Sequence, residues 1–254
     1  MDTDIWIQRF FDEDSKFDWP CPNCKSTSLV LKKGKLFNEE TAKSKSVRKE
    51  SDDWEIEWIE LVFGGQLNCK NCGEAIFFTG VGNPEHSGYV GETDYGAPIE
   101  QYKNSFTPTF FEPHLKIFNI PDKCPKVLTD EIENSFKLFW SDLLSCANKI
   151  RIALEILMNE FGVKKFNVSN GKRKPIALHN RIQSFPNTTV KHYLLAIKWI
   201  GNLGSHLGDL QTIDILDAYR LLEFSLNKLY NDESKELDKM SKEINKRKGV
   251  RKKK

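Results

Sequence analysis

Four of the six cysteines fall in two pairs, Cys21-Pro-Asn-Cys24 and Cys69-Lys-Asn-Cys72. Each pair has C-x-x-C spacing, and two residues between thiols let one tight turn aim both sulfurs at a common point. Two such turns supply four thiolates in a tetrahedral set, which is the donor chemistry of zinc. Four sulfurs leave no open coordination position, so the metal is expected to be structural, with Cys21, Cys24, Cys69 and Cys72 as the Zn2+ ligands. The 44 residues between the pairs exceed the roughly 15–20 of a compact ribbon, so an insertion is expected there. A redox pair would not need duplication, and a cytosolic chain does not keep structural disulfides. Cys124 and Cys146 lie outside the pattern and read as packing thiols.

A second candidate for chemistry is the segment Lys198-Trp-Ile-Gly201-Asn202-Leu-Gly204-Ser-His206. On a helical projection Val190, Tyr193, Leu194, Ile197 and Ile200 form one apolar stripe. Asn202 and His206 fall well away from it, on a side shared with His192, Leu195 and Trp199. A helix with a single core face does not also need Leu and Trp beside Asn and His, so this second side is expected to meet a helix, a subunit or a ligand. The competing explanation is structural. Gly201 and Gly204 each cost about 1 kcal/mol against Ala unless a close helix crossing demands them, and a charged His in a last turn gains ~0.3–1 kcal/mol from the dipole.

These residues need elements to position them. Around the cysteine pairs the sequence predicts short strands: Leu29-Val-Leu after the first, Trp54-Glu-Ile-Glu-Trp58 by strict alternation, and Ala75-Ile-Phe-Phe78 after the second. The Ser/Lys-rich stretch 38–51 reads as a loop tip. Residues 80–125 hold five of the 15 glycines and six of the 10 prolines, which predicts a wrapped loop or linker. From Val127 the period changes. Ile132, Phe136, Phe139, Leu143, Ala147, Ile150, Leu154, Leu157 and Phe161 predict one long helix closed by Gly162. A loop over 170–175 then leads to a short helix with Leu178, Ile182 and Phe185. A third helix follows from Thr189 to Ser205, and a fourth begins near Thr212 and continues, frayed, through Leu237, Met240 and Ile244. The fold class is α+β: a small N-terminal β-rich zinc ribbon, then an all-α antiparallel helical bundle. The expected organisation is a ribbon unit over 1–110, a bundle over 111–232 and a basic tail over 233–254.

The 254 residues carry 38 basic and 36 acidic side chains, a formal charge of +2. That balance hides blocks. Residues 1–18 hold six acids against Arg9 and Lys16, and Lys32 to Lys49 holds seven basic residues against Glu39 and Glu40. The last nine residues contain seven basic side chains and no acid; without them 31 basic and 36 acidic residues remain, a charge of −5. Such blocks either hold the phosphates of RNA or DNA or trail in solvent as a mobile end. There is no basic n-region followed by an apolar stretch, and no apolar run reaches the roughly 20 residues of a membrane span. A cytoplasmic chain with no membrane partner is expected.

The order of Arg151-Ile-Ala-Leu-Glu155 on the long helix, then Gly201-Asn202-x-x-x-His206, then a closing helix, resembles the domain of unknown function 4145 family over about residues 110–230. That family is placed in the HEPN superfamily (higher eukaryotes and prokaryotes nucleotide-binding) and often occurs near bacterial defence and restriction genes. The resemblance implies a bundle of four to five helices, dimerisation and an RNA-related role. Catalytic HEPN members resemble one another in an Arg, four to six residues, then His, and cut RNA without metal through the ribose 2′-hydroxyl. His206 matches that His, and Asn202 the polar residue inside the motif. Trp199, Ile200 and Gly201 fill the window for the Arg, and Lys198 stands one residue before it, without the bidentate fork of a guanidinium. Arg173 and His179 share the spacing, but Pro175 lies between them.

Three functions are therefore weighed. The first is a binding module: ribbon, basic loop and tail contact nucleic acid or a protein, and the Leu195/Trp199 face serves a homodimer or a partner. The second is a metal-independent ribonuclease with His206 as general acid/base, Lys198 as phosphate clamp and Asn202 orienting the scissile group. The third is a non-catalytic scaffold.

Overall fold

The computed structural model describes residues 1–169, 171–203, 210–231 and 234–248. The architecture is α+β, a four-stranded antiparallel sheet followed by a helical region. The strands β1 (Leu29–Glu40), β2 (Leu61–Cys69), β3 (Ala75–Glu92) and β4 (Pro98–Glu112) lie in sequential order. Alternation places Leu29, Leu61, Phe63, Leu67, Ile76, Phe78, Phe106 and Phe111 on the buried face. The N-terminal segment covers that face. A one-turn helix, α1 (Asp4–Ile7), delivers Trp6, and the chain beyond it lays Phe11, Phe17 and Trp19 over the sheet. Phe11 exchanges both backbone hydrogen bonds with Phe106, at 2.9 and 2.8 Å. Its ring meets those of Phe17, Phe63, Phe78 and Phe106 with centroids 5.3–5.5 Å apart.

The sheet is larger than the ribbon expected from the sequence. Residues 80–112 are not a wrapped loop but the body of the β3–β4 hairpin, whose register shifts at Thr79/Gly80. A Cβ at Gly80 would stand 2.1 Å from the Thr107 carbonyl oxygen, so glycine here permits a bulge rather than ending a strand. The Ser/Lys-rich stretch is not a loop tip either: β1 runs to Glu40 and is followed by α2 (Ala42–Glu50). Thr41 caps that helix by accepting from the Ser44 N–H at 3.2 Å. Buried Ser44 donates to Glu40 at 2.9 Å and accepts from the Glu60 N–H at 3.2 Å. Trp54 to Trp58 alternates without pairing; Ile56–Trp58 form a single 3-10 turn, and Trp58 is exposed.

In the helical region the long helix is two, α3 (Lys126–Leu138) and α4 (Leu143–Glu160). Asp142 starts the second by accepting from the Ser145 N–H at 2.9 Å. The break spans about one turn, so the apolar period passes through it in phase and conceals it. Gly162, at φ +70°, closes α4 as expected. A hairpin, β5 (Phe166–Ser169) with β6 (Lys172–Pro175), replaces the loop, and α5 (Leu178–Gln183) follows. Then come α6 (Thr188–Leu203), α7 (Thr212–Tyr230) and a separate helix, α8 (Ser234–Arg247), in place of a frayed extension. Helix α3 packs on α4, α4 on α6 and α7, and α6 on α7. Tyr219 is fully buried; its hydroxyl donates to Ser135 at 2.9 Å and lies 3.1 Å from the Cys146 sulfur. Burial pushes the Cys146 and Cys124 thiols up to about 12, as suits packing cysteines. No helix among the described residues is long and apolar enough to cross a membrane.

Sheet and helices share one core, joined at the α3–α4 break. There Trp140 meets Phe111 at 4.7 Å, Trp19 at 5.1 Å, Phe139 at 5.4 Å and Trp6 at 6.2 Å between centroids. Arg9 donates to the Trp140 carbonyl and to Thr212 Oγ1, and lies over the rings of Phe139 and Trp140. Trp140→Ala should cost about 3–5 kcal/mol. Sheet and helices should lose stability together, read as one shifted denaturant midpoint by fluorescence and far-UV dichroism; separate midpoints would contradict a shared core.

Candidate metal centre and the Gly201 crossing

The two cysteine turns are built alike. In the first, the Lys25 N–H donates to the Cys21 carbonyl and the Cys21 N–H to Ser26; in the second, Gly73 N–H donates to Cys69 and Cys69 N–H to Glu74, all at 2.9 Å. The residue after each second cysteine is left-handed, Lys25 at φ 64° and Gly73 at φ 80°. Both turns sit at the same end of the sheet, because Leu29, which opens β1, pairs with Cys69, which ends β2. The Lys70 N–H donates across to Ser28 at 2.9 Å and fixes one turn against the other.

The four sulfurs of Cys21, Cys24, Cys69 and Cys72 lie within 4.8 Å of one another. Cys21 and Cys72 are 3.7 Å apart, and Cys24 and Cys69 are 3.5 Å apart. Thiolates bound tetrahedrally at about 2.3 Å stand roughly 3.8 Å from each other, so the cluster has the dimensions of a four-sulfur metal site. All six cysteines are free, and the sulfurs stand at metal-site rather than disulfide spacing.

Two residues that spacing alone does not single out complete the site. The Asn71 amide donates to the Cys24 sulfur at 3.4 Å, and the Asn23 amide to the Cys72 sulfur at 3.6 Å. Each asparagine belongs to one turn and supports a sulfur of the other. The signal was present as the shared third residue of the two motifs. The Asn71 amide and the Ser26 N–H together bring the Cys24 thiol down to about 6, favouring the thiolate. Burial pushes Cys21 the other way, up to about 12. Four close sulfurs ionise together only with a cation among them, and a coordinated metal removes those protons outright.

The second constellation is described only up to Leu203 in backbone and Asn202 in side chain; Gly204 and His206 lie outside the described residues. Val190, Leu194 and Ile197 are fully buried, as the apolar stripe requires. Of the other side, Leu195 is half-buried against the core, His192 is exposed, and Trp199 is 57% exposed. Lys198 is buried, its ammonium 3.4 Å from the centroid of the Trp199 ring. Burial, and then the nearby Arg151, lower its pKa. A Cβ at Gly201 would meet the Arg151 Cβ at 3.0 Å and the Ala147 carbonyl oxygen at 3.3 Å. Gly201 thus lets α6 close onto α4, with Arg151 against the glycine and near enough to Lys198 to act on its charge. The Arg151–Glu155 pair is a partly exposed i,i+4 ion pair at 3.3 Å. Arg173 and His179 are divided between β6 and α5.

Residues 9–111 match the model of a domain of unknown function (DUF8608), and residues 133–247 match that of a second domain of unknown function (DUF4145). The two matched stretches follow one another without overlap, the first over the sheet and the second over the helices. No curated protein and no solved structure matches it significantly.

Gly201→Val should cost about 1–3 kcal/mol by forcing α6 off Arg151 and Ala147, measured as a lowered unfolding free energy. A neutral substitution would show that the crossing does not need glycine.

Proposed function

We propose that the four-cysteine cluster holds one structural Zn2+ and that the chain is a binding module rather than an enzyme. The observation that carries this reading is the closed set of four sulfurs, which offers a metal its full coordination and leaves no position for substrate. Asn23 and Asn71 orient the ligands from outside the coordination sphere. In the organisation we propose, the ribbon unit of 1–110 and the HEPN-like bundle of 111–232 present the basic segments to a nucleic acid or a protein partner, in a bacterial defence or restriction-linked setting suggested by family resemblance. Lys32, Lys33 and Lys35 support the first contact: they are exposed where β1 bulges around Gly34. The exposed Trp199 supports self-association through the Leu195/Trp199 face.

The purified chain should contain one zinc per molecule by elemental analysis. Cys72→Ser should lower that stoichiometry and the thermal midpoint together, and a strong chelator should destabilise the wild type but not a variant already lacking metal. Wild type free of metal, or unmoved by chelator, would sink the assignment. If the basic tail holds phosphates, deleting 246–254 should weaken oligonucleotide binding and flatten its salt dependence.

The second reading, a metal-independent ribonuclease, is favoured by one observation: Arg151 lies against Gly201 and close to Lys198, on the helix whose sequence runs on toward His206. In it the ribose 2′-oxygen would attack the phosphorus and the 5′-oxygen would leave, with His206 moving the protons and Lys198 holding the phosphate. Cleavage with 2′,3′-cyclic phosphate ends, abolished by His206→Ala and reduced by Lys198→Ala, would establish it. Intact RNA with the pure wild-type protein would dismiss it.

A further inference from the structure

From Phe161 to Gly208 the chain carries eight Lys and Arg residues and not one Asp or Glu. Five of those cations, Lys164, Lys165, Lys172, Arg173 and Lys174, sit in or beside the β5–β6 ribbon, and all five are exposed. None of them makes an ion pair among the described residues. The contrast with α2 is direct. There Lys43 pairs with Glu60 at 2.8 Å, Lys45 reaches Glu39 at 4.0 Å, and Arg48 pairs with Glu40. The basic residues of the sheet insertion are thus partly neutralised from within, whereas those of the ribbon are not.

Cross-strand pairing sorts the ribbon into two faces. Asn167 lies opposite Lys174, and Ser169 opposite Lys172; Phe166 lies opposite Pro175, and Val168 opposite Arg173. Directly paired residues share a face, so one face is lysine, asparagine and serine, and the other is Phe, Val, Pro and Arg. Both faces are exposed; Phe166 is 46% and Val168 is 71% accessible. A two-stranded ribbon with no buried face and five like charges is only marginally stable in water. Its base, by contrast, is held firmly. The Ile176 N–H donates to the Lys165 carbonyl at 2.8 Å. Beyond it the Arg181 guanidinium, buried in α5, donates to Asn159 at 2.7 Å and to the Val163 carbonyl at 3.2 Å.

A solvated, acid-free ribbon on a hydrogen-bonded base, with lysines on one face and Phe166 and Arg173 on the other, has the chemistry of a single-strand platform. Cations track the phosphates, and flat groups take the bases regardless of sequence. We propose that the β5–β6 ribbon is an arm that binds single-stranded nucleic acid, with Lys164, Lys165, Lys172 and Lys174 on the phosphates and Phe166 and Arg173 stacking on bases. The proposal rests on the binding-module reading and supplies its partner and surface; it is independent of the zinc.

The test uses the full chain as purified, with fluorescent single-stranded RNA and DNA of mixed sequence and the corresponding duplex. Three proteins are compared: wild type, K172A/R173A/K174A, and wild type lacking 246–254. The wild type should bind single strands more tightly than duplex. The triple variant should lose at least about tenfold in affinity near physiological salt, and its slope of log affinity against log salt should fall by about 2. Deleting the tail should leave that difference in place. Phe166→Ala should weaken single-strand binding by about fivefold or more. An unchanged thermal midpoint confirms that the variants fold. Equal affinity and slope for wild type and triple variant would overturn the arm, as would binding confined to duplex. If the wild type binds no nucleic acid yet carries its zinc, the arm fails while the zinc assignment stands. Loss of zinc with retained ribbon-dependent binding is the converse.

Discussion

The structure turns on what surrounds Trp140. An antiparallel sheet with one apolar face and a set of helices with their own core do not by themselves need each other; each can be closed by any apolar cover. Here the cover is shared. The indole of Trp140, set at the break between α3 and α4, packs on Phe111 from β4 and on Trp6 and Trp19 from the N-terminal segment. Arg9 binds the carbonyl of the same residue, a group that a continuous helix would have kept for its own hydrogen bond. The break in the helix, the aromatic cluster and the guanidinium are therefore one device: interrupting α3–α4 exposes the backbone acceptor and presents the ring. The Met1 ammonium, paired with Glu223 at 2.8 Å, ties the first residue to α7.

That device was not legible in the sequence, for a physical reason. The gap between α3 and α4 is about one turn long, so Phe136, Phe139, Leu143 and Ala147 keep helical spacing across it, and periodicity reports one helix. Asp142 was the only local sign, as a cap residue. The other misreadings follow the same logic of one signal overriding another. Gly80 looks like punctuation but relieves a bulge inside a long strand. Residues 42–50 lack an apolar period because α2 is held by a threonine cap, a buried serine and ion pairs rather than by a greasy face. Trp54 to Trp58 alternates but pairs with no strand, and alternation without a ladder partner is not a strand. What was legible rested on short-range chemistry: the C-x-x-C turns, the Gly162 stop, the apolar stripe of α6 and the start of α7.

The cysteine site shows how far spacing carries. It picked out all four cysteines that cluster and the kind of metal such a cluster suits, because a thiolate pair at that separation has few other uses. It did not find Asn23 and Asn71, since a ligand's supporting contacts come from the opposite turn, 48 residues away in sequence, and only the pairing of β1 with β2 brings them together. The same holds for Arg151 and Lys198, which no linear motif unites but which Gly201 places side by side.

Charge is where position matters more than total. A net charge of +2 in 254 residues says nothing about partners, because attraction to a polyanion depends on local, uncompensated charge. In the N-terminal unit, Glu39, Glu40 and Glu60 stand within reach of the helix cations, so Lys43, Lys45 and Arg48 already have carboxylates. Between Phe161 and Gly208 there are no carboxylates to find. Cations there are relieved by partners from α4 and its end, as Arg181 is by Asn159, Val163 and the charge of Glu155, by an aromatic face, as Lys198 is by Trp199, or by something outside the chain. For Lys172, Arg173 and Lys174, exposed on an isolated ribbon, the first two routes are closed. The third is the one the fold leaves open.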